Sequence, residues 1–120
     1  MKILIVDDSP AMRRIVQRTL RQAGFDDLDV VEAENGKKGL EMVEQEGPDM
    51  ILSDWNMPEM GGLDFLKALR GQGSALPFGF ITSESTGDMK QLAIEAGANF
   101  ILKKPFSSDD LKLALSDHLG

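Results

Sequence analysis

At 120 residues, with 42% hydrophobic and 28% charged side chains, the chain has the size and composition of one folded domain, residues 1–120, rather than of a disordered segment. A net charge of −7 argues against binding nucleic acid through bulk electrostatics, and the absence of cysteine excludes both a disulfide framework and a thiolate metal site. The apolar run in "MKILIVDDSP" is too short for a signal peptide and no membrane-length stretch follows, so a cytoplasmic location without membrane insertion is expected.

"KILIV" (2–6) opens the chain as a β-branched run suited to a strand covered on both faces. It ends in two adjacent carboxylates, Asp7 and Asp8. Ser9 can cap the helix that follows, with Pro10 at its first position, and Met12, Val16, Leu20 and Ala23 form its apolar stripe beside Ile15 and Thr19. Gly24 sits just past the end. "DVVEA" (29–33) reads as the second strand, and 37–46 as a weaker helix resting on Leu40 and Val43. "DMILS" (49–53) is the third strand, ending in "DWNMP", and Leu63, Leu66 and Leu69 mark the next helix. "PFGFIT" (77–82) is the fourth strand, followed by a stripe of Met89, Leu92, Ala93 and Ala96 closed by Gly97. "NFILK" (99–103) is the fifth. Ser107 or Ser108, then Asp109 and Asp110, opens a last helix on Leu111, Leu115 and Leu119, with negative charge at its positive dipole end.

Such alternation predicts right-handed crossovers and an α/β fold, a parallel five-stranded sheet wound with helices on both faces. Sites in these sheets form at the carboxyl ends of strands. Taken strand end by strand end, the polar residues are Asp7 and Asp8, then Asp54, then Thr82, then Lys103 and Lys104 before Pro105.

The acidic pair, "SDWNMP" around Asp54, Thr82 and "KPF" from Lys104 together resemble a response-regulator receiver domain of the single-domain chemotaxis type, over essentially all 120 residues. The resemblance implies a flavodoxin-like (βα)5 sheet in the order 2-1-3-4-5. It implies that Asp54 accepts a phosphoryl group from a sensor histidine kinase or a histidine phosphotransfer protein. Asp8 and Asp54 would bind Mg²⁺ directly, with Mn²⁺ able to substitute, Asp7 acting through a water and Asn56 offering its main-chain carbonyl. Lys104 would pair with the phosphoryl group, and Thr82 would move toward it as the switch. Asn56 and Glu84 match positions that tune hydrolysis in the family. A downstream protein would dock on roughly residues 84–118. The chain would thus be a phosphorylation-driven signalling switch, plausible in chemotaxis, rather than a turnover enzyme.

The residue types support this chemistry independently. Three carboxylates and one ammonium leave two net negative charges, which one divalent cation neutralises, and an all-oxygen donor set suits Mg²⁺. Lysine is a compact point charge on a flexible stem. Taken singly, each residue has a plainer reading: Asp8 or Ser9 as a helix cap, Asp54 as a turn former, Thr82 as a β-former, Lys104 as a solvated lysine. Those readings require four coincidences along one sheet edge.

Other features carry smaller expectations. Arg14, Arg18 and Arg21 form a basic stripe on the first helix, read as a solvated face that in the family can also meet the kinase. Trp55, the only tryptophan, is placed to report on metal or phosphate, and His118 is an unpromising ligand near a helix end. Three positions depart from the family pattern: Ile101 stands where an aromatic switch residue is usual, with Phe100 expected on the opposite face; Gly61 replaces an acidic residue before Gly62; and Gly79 should weaken the fourth strand. Two other functions remain in view. One is a Mg²⁺-dependent phosphohydrolase with an aspartyl-phosphate intermediate, disfavoured because Ser9 and Pro10 do not supply that class's second aspartate. The other is a degenerate receiver scaffold, disfavoured by the intact acidic pair, Asp54, Thr82 and Lys104. "ENGKKG" lacks the spacing of a nucleotide-binding loop.

Overall fold

The computed structural model describes the backbone of residues 1–119 and the side chains of 1–117, so the expectations for His118 and for Leu119 in the last stripe lie outside the described side chains. Five strands alternate with five helices: β1 (Lys2–Val6), α1 (Pro10–Gln22), β2 (Asp29–Ala33), α2 (Gly36–Glu46), β3 (Met50–Ser53), α3 (Gly62–Gly71), β4 (Phe78–Thr82), α4 (Gly87–Ala96), β5 (Phe100–Lys103) and α5 (Ser108–Leu119). All strand pairs are parallel, in the order β2-β1-β3-β4-β5. The strand order reverses between β1 and β3, which opens a crevice at their carboxyl ends.

Period-two alternation sorts the strand side chains into two cores. Leu4, Val6, Ile51, Phe78 and Phe80 face α2, α3 and α4, where they meet Phe65, Leu66, Leu69 and Ala93. Ile3, Ile5, Met50, Leu52 and Ile81 face α1 and α5, against Val16, Leu20, Leu111 and Leu115. Phe100 and Ile101 fall on opposite faces as their alternation requires. No helix among the described residues is long and apolar enough to cross a membrane.

The caps follow local chemistry. Ser9 Oγ accepts from the Met12 amide at 3.2 Å, with Pro10 in the first turn. At α5 the cap is Ser107: its Oγ accepts from the Asp110 amide and its own amide donates to Asp110 Oδ2, both at 3.0 Å, a reciprocal pair that satisfies two orphan donors. Gly97 ends α4 at φ 97°, a left-handed conformation that favours glycine.

Two of the expected helix stripes are narrower than their spacing implies. Ile15 is 47% exposed and Leu92 44% exposed, alongside Ile94. α4 lies beside β5, the last strand of the sheet, so only one line of its side chains, represented by Ala93, reaches the core. Gly79 also differs from expectation. It pairs directly with Phe100 on β5, and a Cβ built on it would come within 2.1 Å of the Phe100 ring. The missing side chain of β4 is therefore replaced by a ring from the neighbouring strand.

Candidate functional site

The carboxyl ends of β1 and β3 carry Asp7 and Asp54 one residue beyond the last strand residue, yet both remain in the ladder. The Asp7 amide donates to Ala33 O at 3.1 Å and the Asp54 amide to Val6 O at 2.8 Å. Each carboxylate therefore stands on backbone held by its neighbouring strand. Gly62, the first residue of α3, lies directly under Asp54: a Cβ there would come within 2.1 Å of Asp54 O and 2.8 Å of the Phe80 ring. Only glycine lets α3 start this close to the site. Trp55 packs at 4.7 Å between ring centroids against Phe80, which places the indole next to Asp54 and half-buried.

One oxygen from each of Asp7, Asp8 and Asp54 lies within 4.8 Å of the others. Asp7 is 4% exposed, while Asp8 opens to solvent. Lys104 reaches this group from the end of β5, with Nζ 3.4 Å from Asp7 Oδ2 and 3.7 Å from Asp54 Oδ1. Its amide donates to Thr82 O at 2.7 Å across the β4–β5 ends, and the peptide joining it to Pro105 is cis. Burial, and after it the negative charge of Asp7, push the Asp54 carboxyl above the ordinary carboxylate value. Lys104 and the Trp55 amide, which donates to Asp54 Oδ1 at 2.8 Å, pull the other way without cancelling this. The pocket thus holds more negative charge than its lysine offsets. Its donors are all oxygens, which fits a hard divalent cation.

The remaining sequence candidates are distributed as follows. Thr82 is 1% exposed at the end of β4, and its Oγ1 accepts from the Glu84 amide at 3.3 Å. Asn56 and Glu84 are exposed on the loops after β3 and β4. Lys103, paired with Thr82 in the sheet, is exposed, so of the two lysines it is Lys104 that enters the carboxylate group. Two interactions lie outside the strand-end pattern, although each has a local signal: an Asp two residues before Ser9 can close an Asx turn, and Arg13 lies three residues before Val16 on the inward face of α1. The Ser9 amide donates to Asp7 Oδ1 at 2.9 Å, so the residue that caps α1 also fixes the first carboxylate. Arg13, adjacent to the exposed arginine stripe, turns inward and donates through Nη1 to the Asp7 carbonyl and through Nε to Glu32 Oε1 on β2.

With this arrangement in place, similarity to known proteins is informative. Residues 3–116 match the model of the response regulator receiver domain family. The chain is 40% identical, over all of its length and 93% of the relative's, to a chemotaxis protein CheY homolog of Campylobacter jejuni. It is 41% identical to chemotaxis protein CheY1 of Helicobacter pylori, over 98% of that protein. Among solved structures, Vibrio cholerae chemotaxis protein CheY4 superposes with a TM-score of 0.85 at 36% identity, covering 97% of this chain and 96% of that one. The receiver domain of Francisella response regulator 1452 superposes at 0.82 with 28% identity, over 97% and 93% of the two chains. A strand order of 2-1-3-4-5 and an acidic group at the β1/β3 crevice accord with these matches, and the chain belongs to the response regulator receiver domain family.

Proposed function

We propose that the chain is a phosphorylation-activated switch of a two-component system and that Asp54 is its phosphoacceptor. The observation that carries this reading is the convergence of Asp7, Asp8, Asp54 and Lys104 at the point where the strand order reverses. An Asp54 carboxylate oxygen attacks the phosphorus of a phosphohistidine, the P–N bond breaks and the imidazole leaves with its electron pair. Lys104 places its ammonium against the incoming phosphoryl oxygens, at the cost of its present pairing with Asp54 and Asp7. Asp7, Asp8 and Asp54, with the Asn56 main-chain carbonyl, are the residues that would hold Mg²⁺ or Mn²⁺. When bound, that ion neutralises the pocket toward an anionic donor and the charge developing on the transferred group.

Thr82 supplies the response. Its hydroxyl oxygen accepts from the Glu84 amide, which leaves the O–H to be donated to a phosphoryl oxygen and links the β4–α4 loop to the group that arrives. With Ile101 in place of an aromatic residue, switching relies on Thr82 and the loop it carries. Asn56 and Glu84 are exposed on the loops after β3 and β4, and in this reading they tune the lifetime of the phosphoryl group. The donor is a sensor histidine kinase or a phosphotransfer protein. The output is a protein contact on residues 84–118, and the CheY relatives make chemotaxis the favoured pathway. The chemistry is limited to the chain's own phosphorylation and dephosphorylation, in the cytoplasm, where the partners so named reside.

Intact-mass measurement tests the assignment. With a small phosphodonor and Mg²⁺, the protein gains the mass of one phosphoryl group, and Asp54→Asn does not. Equal labelling of the variant would overturn Asp54 as acceptor.

A further inference from the structure

Every polar atom of Asp7 has a partner. Its amide bonds to Ala33 O, its Oδ1 accepts from the Ser9 amide, its Oδ2 faces Lys104 Nζ and its carbonyl accepts from Arg13 Nη1. Asp8 is the opposite case. Its carboxylate is exposed and, among the described residues, accepts no hydrogen bond from the protein, yet it stands within reach of Asp7 and Asp54. The direction of Asp8 is therefore set by its backbone, and the peptide that precedes it is the one whose carbonyl Arg13 grips.

We infer that Arg13 is a positioning residue for cation binding: by clamping the Asp7–Asp8 peptide plane it aims the otherwise unrestrained Asp8 carboxylate at the site. The inference rests on the proposed cation site. The side chain suits the task. Arg13, the fourth residue of α1, reaches back over the β1 end, only 16% exposed, and its planar fork spends one donor on Asp7 O and another on Glu32 Oε1 of β2 at 2.9 Å. Glu32 thereby anchors the guanidinium from the far side, so the peptide, the helix and the neighbouring strand are tied together. A lysine would carry the charge but not this two-ended geometry. Partners that orient a metal ligand typically change affinity by about 10–100-fold when removed.

Electrostatics and positioning predict opposite signs, which makes the test decisive. Removing a cation beside an anionic pocket should tighten Mg²⁺ binding. Losing the clamp should weaken it. Mg²⁺ affinity is measured by calorimetry on the full chain for the unmodified protein, Arg13→Met and the conservative Arg13→Lys, each checked by circular dichroism to be fully folded without metal. The expected result is an affinity about tenfold or more weaker for both variants. Binding as tight as or tighter than that of the unmodified protein in Arg13→Lys, or tighter binding in Arg13→Met, overturns the positioning role while leaving the cation site standing. Absence of saturable binding in the unmodified protein overturns both.

Discussion

Asp54 carries its charge where burial and Asp7 both resist ionisation, and its raised pKa has a consequence for stability. In the metal-free protein the folded state keeps a proton on Asp54 at pH values where the unfolded chain has already released it. Stability therefore falls as pH rises from the ordinary carboxylate value through the raised one, and above that window the ionised carboxylate is a constant penalty. Asp54→Asn removes that penalty. Thermal melts without divalent cation should show Asp54→Asn more stable than the unmodified protein at neutral pH, with the difference shrinking on acidification toward the ordinary value. A variant less stable at neutral pH would contradict the electrostatic account of the pocket. Much of the site was legible at this scale because each residue stands at the end of its own strand: Asp7, Asp8, Asp54 and Lys104 meet where the strand ends predict. Arg13 was legible only in part. Helical spacing sets it three residues before Val16 and seven before Leu20, on the inward face and apart from Arg14, Arg18 and Arg21, but its partners Asp7 O and Glu32 come from other elements and are not written in that spacing.

Elements are held by fits that single positions do not announce. The glycine in β4 looked like a weakness, but the Phe100 ring lies over it from β5. Gly79→Ala should destabilise the fold by about 1–3 kcal/mol, because the ring must swing away from the new methyl. Shortening the ring with Phe100→Leu should recover part of that loss. In a denaturant-unfolding cycle the double variant should be more stable than the sum of the single effects by about 0.5 kcal/mol or more. Strict additivity would mean that the ring does not replace the side chain Gly79 lacks. The strands themselves were readable from apolar runs and capping residues, to within a residue at their ends. The face of α4 was not, since the apolar spacing of Met89, Leu92, Ala93 and Ala96 is the same whether a helix covers the sheet centre or its margin. Strand order decides which, and the exposure of Leu92 follows from α4 lying beside β5.

For the whole molecule, the sheet and its two cores mount an acidic pocket whose surplus charge a bound divalent cation would neutralise. Ladder bonds fix Asp7 and Asp54, Lys104 offsets one charge, and burial, followed by the charge of Asp7, raises the Asp54 pKa. A ligand that binds only the folded state adds stability, about 2.7 kcal/mol at a hundredfold excess over its dissociation constant. Mg²⁺ should accordingly raise the melting temperature by several degrees at such an excess. Replacing Asp8 with asparagine, which removes an exposed charge without disturbing a protein hydrogen bond, should abolish most of that increase. The half-buried Trp55 beside Asp54 provides a direct readout. Titrating Mg²⁺ while following indole emission, with calorimetry in parallel, should give one saturable transition of matching midpoint by both methods. No emission change and no heat up to millimolar Mg²⁺ would contradict the claim that this pocket is built around a divalent cation.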